Sequence, residues 1–237
     1  MTFDTVAWSD FMRSLRWKQG EHAAIIKPTG GGKSTLIGAV LPAHRSPAIV
    51  VFVTKVFDKT FQEQFPAREG WRRVEEWPPP RHVDKVLLWP RVAGKDIPEI
   101  IAIQRKVFRE ALNSIFSEMG WTVVFDEEHY ICQVLGLTEY VAMFHHQGRS
   151  SGITCIDGIQ RPKYVPLVTY SSATHAFIGQ TTDRDDLKRL ADLGSRYQRD
   201  IMATAQDLDY YEFLYVPARV PKGVPVRTTV DLNSKAA

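Results

Sequence analysis

The stretch Lys27-Pro28-Thr29-Gly30-Gly31-Gly32-Lys33-Ser34-Thr35 constrains this chain more than any other. Three consecutive glycines weaken any helix or strand, because glycine loses the most conformational freedom on ordering. They suit a backbone that must turn tightly with its N–H groups facing inward. An apolar run, His22–Ile26, leads into them, and a helical pattern, Lys33–Leu41, leads away. Strand, glycine loop and helix start, in that order, make a cradle for phosphate: the loop supplies N–H donors and the helix end a partial positive charge. Gly32, Lys33 and Ser34 fit the second half of the pattern G-x-x-x-x-G-K-[ST], while Lys27 stands where the pattern has its first glycine. In such a loop the lysine reaches the β- and γ-phosphates of a nucleotide and the serine hydroxyl holds Mg²⁺. The candidate nucleotide-binding residues are therefore Thr29, Gly30, Gly31, Gly32, Lys33, Ser34 and Thr35.

The rest of the chain alternates in the same manner. Short apolar runs occur at Ala48–Thr54, Val83–Trp89, Trp121–Phe125, Ile153–Ile159, His175–Gly179 and Glu212–Val216. Several are apolar at consecutive positions, as in strands covered on both faces. Helical patterns lie between them. Ile97–Met119 places Ile100, Ile103, Val107, Ala111, Ile115 and Met119 on one face and stops at Gly120. Thr138–His146 and Arg184–Leu193 follow, the second opened by Asp183 as N-cap. This alternation predicts an α/β fold, a central, mostly parallel sheet with helices on both faces. Phe65–His82, rich in charge, tryptophan and proline, reads as an excursion at the sheet's edge. A single domain over 1–232 with a disordered tail, 233–237, is the expected organisation.

Trp121–Phe125 runs directly into Asp126 and Glu127. A buried strand that ends in two acids suits a nucleotide site: Asp126 as a Mg²⁺ ligand and Glu127 as the base that polarises the attacking water. Glu128 follows at once and competes for the role of base, although the alternation of the strand points to Glu127.

A third element is Gly148-Arg149-Ser150-Ser151-Gly152-Ile153, then a strand, then Gly158-Ile159-Gln160-Arg161-Pro162. With the two nucleotide motifs upstream, this ordering resembles the FtsK/HerA superfamily of ring-forming P-loop ATPases, whose domain is RecA-like. The similarity runs on through HAFIGQTTDRDDLKRLADLG and through EFLYVP, a basic proline-containing loop and VRTTVDL, so it spans Ala23 to about Leu232. Val53-Thr54-Lys55 departs from the Asp-Pro-Lys that the family often carries after its second strand. The resemblance implies that Gln160 is the sensor of the γ-phosphate and Arg149 the arginine finger given to a neighbouring subunit, with Arg161 as the competing finger. It implies catalytic roles for Lys33, Glu127, Arg149 and Gln160, Mg²⁺ ligation by Ser34 and Asp126, and ATP and Mg²⁺ as substrate and cofactor. It further implies a homo-oligomeric ring that pumps DNA, expected to be double-stranded. Within the superfamily the bare motor is similar to viral genome-packaging ATPases, which would make a capsid portal or membrane vertex protein its docking partner. A conjugation or segregation motor and an ATP-switched interaction module are the competing readings.

Charge neither supports nor opposes this. Lys plus Arg is 30 against 27 for Asp plus Glu, a surplus of +3, too small to mark a nucleic-acid binder by itself. Cys132 and Cys155 suit free, buried thiols in a reducing, cytoplasmic setting. His145 and His146 read as a solvated pair at a helix end.

Overall fold

The computed structural model describes residues 3–193, 195–220 and 222–231; the expected tail, 233–237, and Leu232 lie outside them. The strands are β1 (His22–Ile26), β2 (Ala48–Phe52), β3 (Trp71–Val74), β4 (Lys85–Leu88), β5 (Trp121–Phe125), β6 (Thr154–Ile159), β7 (Ala173–Ile178), β8 (Glu212–Val216) and β9 (Val226–Thr229). All join one sheet in the order β3-β4-β2-β5-β6-β1-β7-β8-β9. Pairing is parallel from β3 through β7. It turns antiparallel for β8 and β9. The mostly parallel α/β architecture expected from the alternation is the one observed.

Consecutive apolar residues are needed because both faces are covered. In β1, Ala23 and Ile25 pack with Leu36, Ile37 and Val40 of helix α2 (Lys33–Val40) and with Phe11 of α1 (Trp8–Ser14). Ala24 and Ile26 face the other way, against Tyr170 of α6 (Leu167–Ser172), Leu187 of α7 (Arg184–Arg189) and Ile201 of α8 (Gln198–Asp207). On that second face, farther along the sheet, Val50, Phe52, Val123 and Phe125 meet α4 (Ile97–Glu118) and α5 (Thr138–Gln147). Asp96 and Glu99 form a capping box at the start of α4, which satisfies two otherwise orphaned N–H groups. Its buried stripe runs through Val107, Phe108, Ala111, Leu112 and Ile115. Met119 leaves that stripe: it takes a positive φ one residue before Gly120 and is exposed. Asp183 caps α7 as expected, accepting from the N–H groups of Asp185 and Asp186.

Phe65–His82 is at the sheet's edge, but it contains a strand. β3 pairs in parallel with β4, with Trp71 buried beneath it. Helices α1, α3 (Lys59–Gln64), α6 and α8 have no counterpart in the sequence reading. Cys132 and Cys155 are buried free thiols.

The packing of β5 against β6 depends on one glycine. A Cβ placed on Gly158 would lie 2.3 Å from the carbonyl oxygen of Asp126 and 2.9 Å from that of Phe125. Both obstacles are backbone in the middle of the sheet, so neither can swing away. Gly158→Ala should cost about 3 kcal/mol of stability, seen as a lower urea midpoint; an unchanged midpoint would show that the two strands can part.

Candidate nucleotide-binding site

The carboxyl ends of β1, β5 and β6 bring the motifs together. β6 runs between the strand that feeds the glycine loop and the strand that ends in the acids, so Gln160, just beyond β6, stands between them. Ligands of open α/β sheets bind at this edge.

The loop turns through two left-handed glycines, Gly30 with φ 76° and Gly32 with φ 80°. Beside Gly32 the space is open: a Cβ there would meet nothing within 4 Å. Gly32 also caps α2 without any side-chain hydrogen bond, so the first turn offers its N–H groups to that space. Thr29 donates from Oγ1 to Oε1 of Gln160 at 2.6 Å, tying the loop to the residue just beyond β6. Thr35 is half-buried in the first turn of α2.

Lys33 and the acids share one pocket of charge. Lys33 Nζ donates to the carbonyl oxygen of Asp126 and lies 3.2 Å from Asp126 Oδ1 and 3.8 Å from Glu127 Oε2. The Ser34 hydroxyl donates to Asp126 Oδ1 at 3.3 Å. Asp126 Oδ2 and Glu127 Oε2 are buried with no hydrogen-bond partner. A serine hydroxyl and a carboxylate with a spare oxygen form a hard-oxygen donor pair, which fits Mg²⁺. Burial raises the pKa of Glu127 to about 7, aided by Asp126 and opposed by Lys33 and Lys55. Such a value is poised for proton transfer near neutral pH.

Glu128 goes elsewhere. It is fully buried, and its Oε1 accepts from Thr169 of α6 at 2.5 Å. Glu127, the acid favoured by strand alternation, is the one beside Lys33. Lys27 also turns away from the loop. It is buried, its Nζ donates to the carbonyl oxygens of Tyr210 and Glu212, and desolvation lowers its pKa to about 8. Gly179 makes room for it, since a Cβ there would come within 2.6 Å of the lysine chain.

The two arginines lie at opposite edges. Arg161 follows Gln160 and is held by Asp183 at 2.8 Å and Asp186 at 2.7 Å. Arg149 precedes β6, with its carbonyl 3.1 Å from where a Cβ of Gly20 would be. The 6-residue β6, at about 3.3 Å per residue, puts it about 20 Å from the loop of its own chain. His145, next door, departs from its reading as solvated: the turn of α5 aims it inward, where it is buried 3.2 Å from Asp157 and 2.9 Å from Ser172 Oγ. His146 alone is exposed.

Sequence reasoning missed Tyr210. Its hydroxyl donates to the carbonyl oxygen of Gly30 in the loop, and with exposed Tyr211 it walls the side toward β8. Nothing local in the sequence links positions 180 apart.

No protein-family model matches the chain, and no curated protein matches it in sequence. Solved structures do. The genome-packaging NTPase B204 of Sulfolobus turreted icosahedral virus 2, in complex with sulfate, superposes with a TM-score of 0.62 at 14% identity, over 91% of this chain and 100% of that one. The DNA-packaging ATPase B204 of Sulfolobus turreted icosahedral virus gives 0.61 at 18%, over 88% and 98%. The pCW3 conjugation coupling protein TcpA gives 0.53 at 15%, over 91% of this chain but 62% of its own length. At these identities the likeness is one of fold. It agrees with the resemblance to FtsK/HerA ATPases carried by the motifs.

Proposed function

We propose that this chain is a Mg²⁺-dependent ATPase that works as a ring and moves double-stranded DNA, most specifically viral DNA into a capsid. One observation carries the reading: Lys33, Ser34, Asp126, Glu127 and Gln160 converge at the carboxyl edge of a sheet whose β6 separates loop from acids. That arrangement suits hydrolysis. The loop amides and Lys33 bind and orient the triphosphate, and Ser34 and Asp126 would hold the metal. Mg²⁺ bound there would supply charge neutralisation at the phosphate oxygens. Glu127 accepts a proton from the attacking water. Gln160, tied to Thr29, responds to the γ-phosphate. Arg161, the arginine next to Gln160, is already held by Asp183 and Asp186, and in this reading the transition-state cation is Arg149 from the next subunit, as the resemblance implies. Ring association by unlike faces presents that edge to the site. No helix among the described residues is long and apolar enough to cross a membrane; the docking partner proposed is a capsid portal or membrane vertex protein.

Linear duplex DNA should raise ATP turnover by the purified chain several-fold, more than linearly with protein concentration. Turnover that ignores DNA and scales with protein would contradict the motor and favour an ATP-switched interaction module.

A further inference from the structure

The amino edge of the sheet carries a second polar cavity of about 280 Å³. Its walls include His22, His146, Arg149, Ser171, Thr174 and Arg219, and no Asp or Glu lines it among the described residues. Arg219 comes from the loop between β8 and β9, far in sequence from Arg149. Neither guanidinium makes a hydrogen bond or ion pair with a described residue, which is unusual for two cations so close together.

His22 adds a third donor. Its Nδ1 accepts the N–H of Cys155 at 3.0 Å, so the ring carries its proton on Nε2. That Nε2 is buried without a partner, in a residue only 3% exposed. Burial, with His145, Arg149 and Arg219 nearby, lowers its pKa to about 3, so the ring stays neutral and keeps this arrangement at physiological pH. Two guanidiniums without partners, the unsatisfied N–H of His22 and the Thr174 hydroxyl give the cavity an excess of donors with no carboxylate to meet them. Its chemical complement is an oxyanion with several acceptor oxygens.

We infer that this cavity binds the terminal phosphate of the ATP held by a neighbouring copy of the chain, with Arg219 as a second guanidinium beside Arg149. The inference rests on the shared-site reading above and extends it to residues that no motif contains. The chain's own triphosphate sits at the opposite edge and cannot reach the cavity. A head-to-tail contact that closes into a ring brings these two unlike edges together, donors against phosphate. Arg219 touches the reacting phosphate in this arrangement, whereas His22 positions it.

The test compares Arg219→Ala with Arg149→Ala. Turnover is measured over independent ranges of ATP and duplex DNA, and affinity with trinitrophenyl-ATP. Arg219 is exposed in a loop, so its removal leaves the core untouched. The expected result is a kcat at least ten-fold lower at saturating ATP and DNA, an analogue Kd within two-fold of the unmodified chain, and partial recovery with Arg219→Lys. If Arg149→Ala is inactive but Arg219→Ala keeps its kcat within two-fold, the inference fails while the shared site stands. Full activity in both variants would overturn the two together. A defect of Arg219→Ala that vanishes at high DNA concentration would assign the cavity to the DNA backbone and overturn the inference too.

Discussion

Arg149→Ala should abolish ATP turnover, a fall of about a thousand-fold or more, and leave ATP binding by the same chain unchanged. The two effects separate because the two edges separate. On the proposed reading, affinity would come from the glycine loop, Lys33 and the start of α2, none of which touches Arg149. Rate would come from a cation that meets charge only as it develops on the phosphate, and such a contact raises kcat without tightening the ground state. Turnover and trinitrophenyl-ATP affinity, measured side by side, check both halves. Survival of turnover would pass the role to Arg161, which would first have to leave Asp183 and Asp186.

Glu127→Gln should have an effect of similar size on the chemistry, and it should also raise the stability of the fold. Loss of a positioned general base costs on the order of a hundred- to ten-thousand-fold in turnover. For the unmodified chain, kcat/KM should fall as pH drops through about 7, because Glu127 with its raised pKa then holds the proton that it must accept. The stability consequence follows from the same shift. A carboxyl whose pKa is raised by folding holds its proton more tightly in the folded than in the unfolded chain, so it costs stability as pH climbs from its ordinary value toward 7, and the full cost remains above that. A neutral glutamine escapes the cost. The variant should unfold at a higher temperature than the parent at pH 8, by a margin on the order of 2 kcal/mol, and the margin should close near pH 4. Equal melting temperatures at both pH values would show that Glu127 is solvated rather than confined beside Lys33 and Asp126.

Much of this site was legible in the sequence because its parts are local motifs at strand ends. Three glycines before Lys33-Ser34, two acids after Trp121–Phe125 and Gln160 after β6 each announce a carboxyl edge. Parallel pairing then puts all those edges on one side. What escaped detection depends on contacts between distant segments or on elements with weak periodicity. β3 has four residues, two of them arginines facing out, and its strand character comes from pairing with β4 rather than from its own pattern. α6 is six residues long, too short for a helical period to show. Tyr210 reaches Gly30 only because β8 lies beside β7, itself paired with β1. The inward turn of His145 depends on Asp157, a buried acid in a strand that otherwise reads as apolar. Arg219 belongs to no motif, and only the antiparallel return of β8 brings its loop to the edge where Arg149 stands.

The central claim is that one catalytic site is built from two chains, the loop and acids from one and Arg149 from the next. Mixing two inactive variants, Lys33→Ala and Arg149→Ala, tests it most directly, with ATP turnover as the readout on linear duplex DNA. A Lys33→Ala chain still offers its Arg149 to a neighbour, and an Arg149→Ala chain still has an intact loop. The account predicts that the mixture regains turnover that neither chain has alone, highest near equal proportions. A mixture as inactive as its components, with both variants assembled normally, would contradict it.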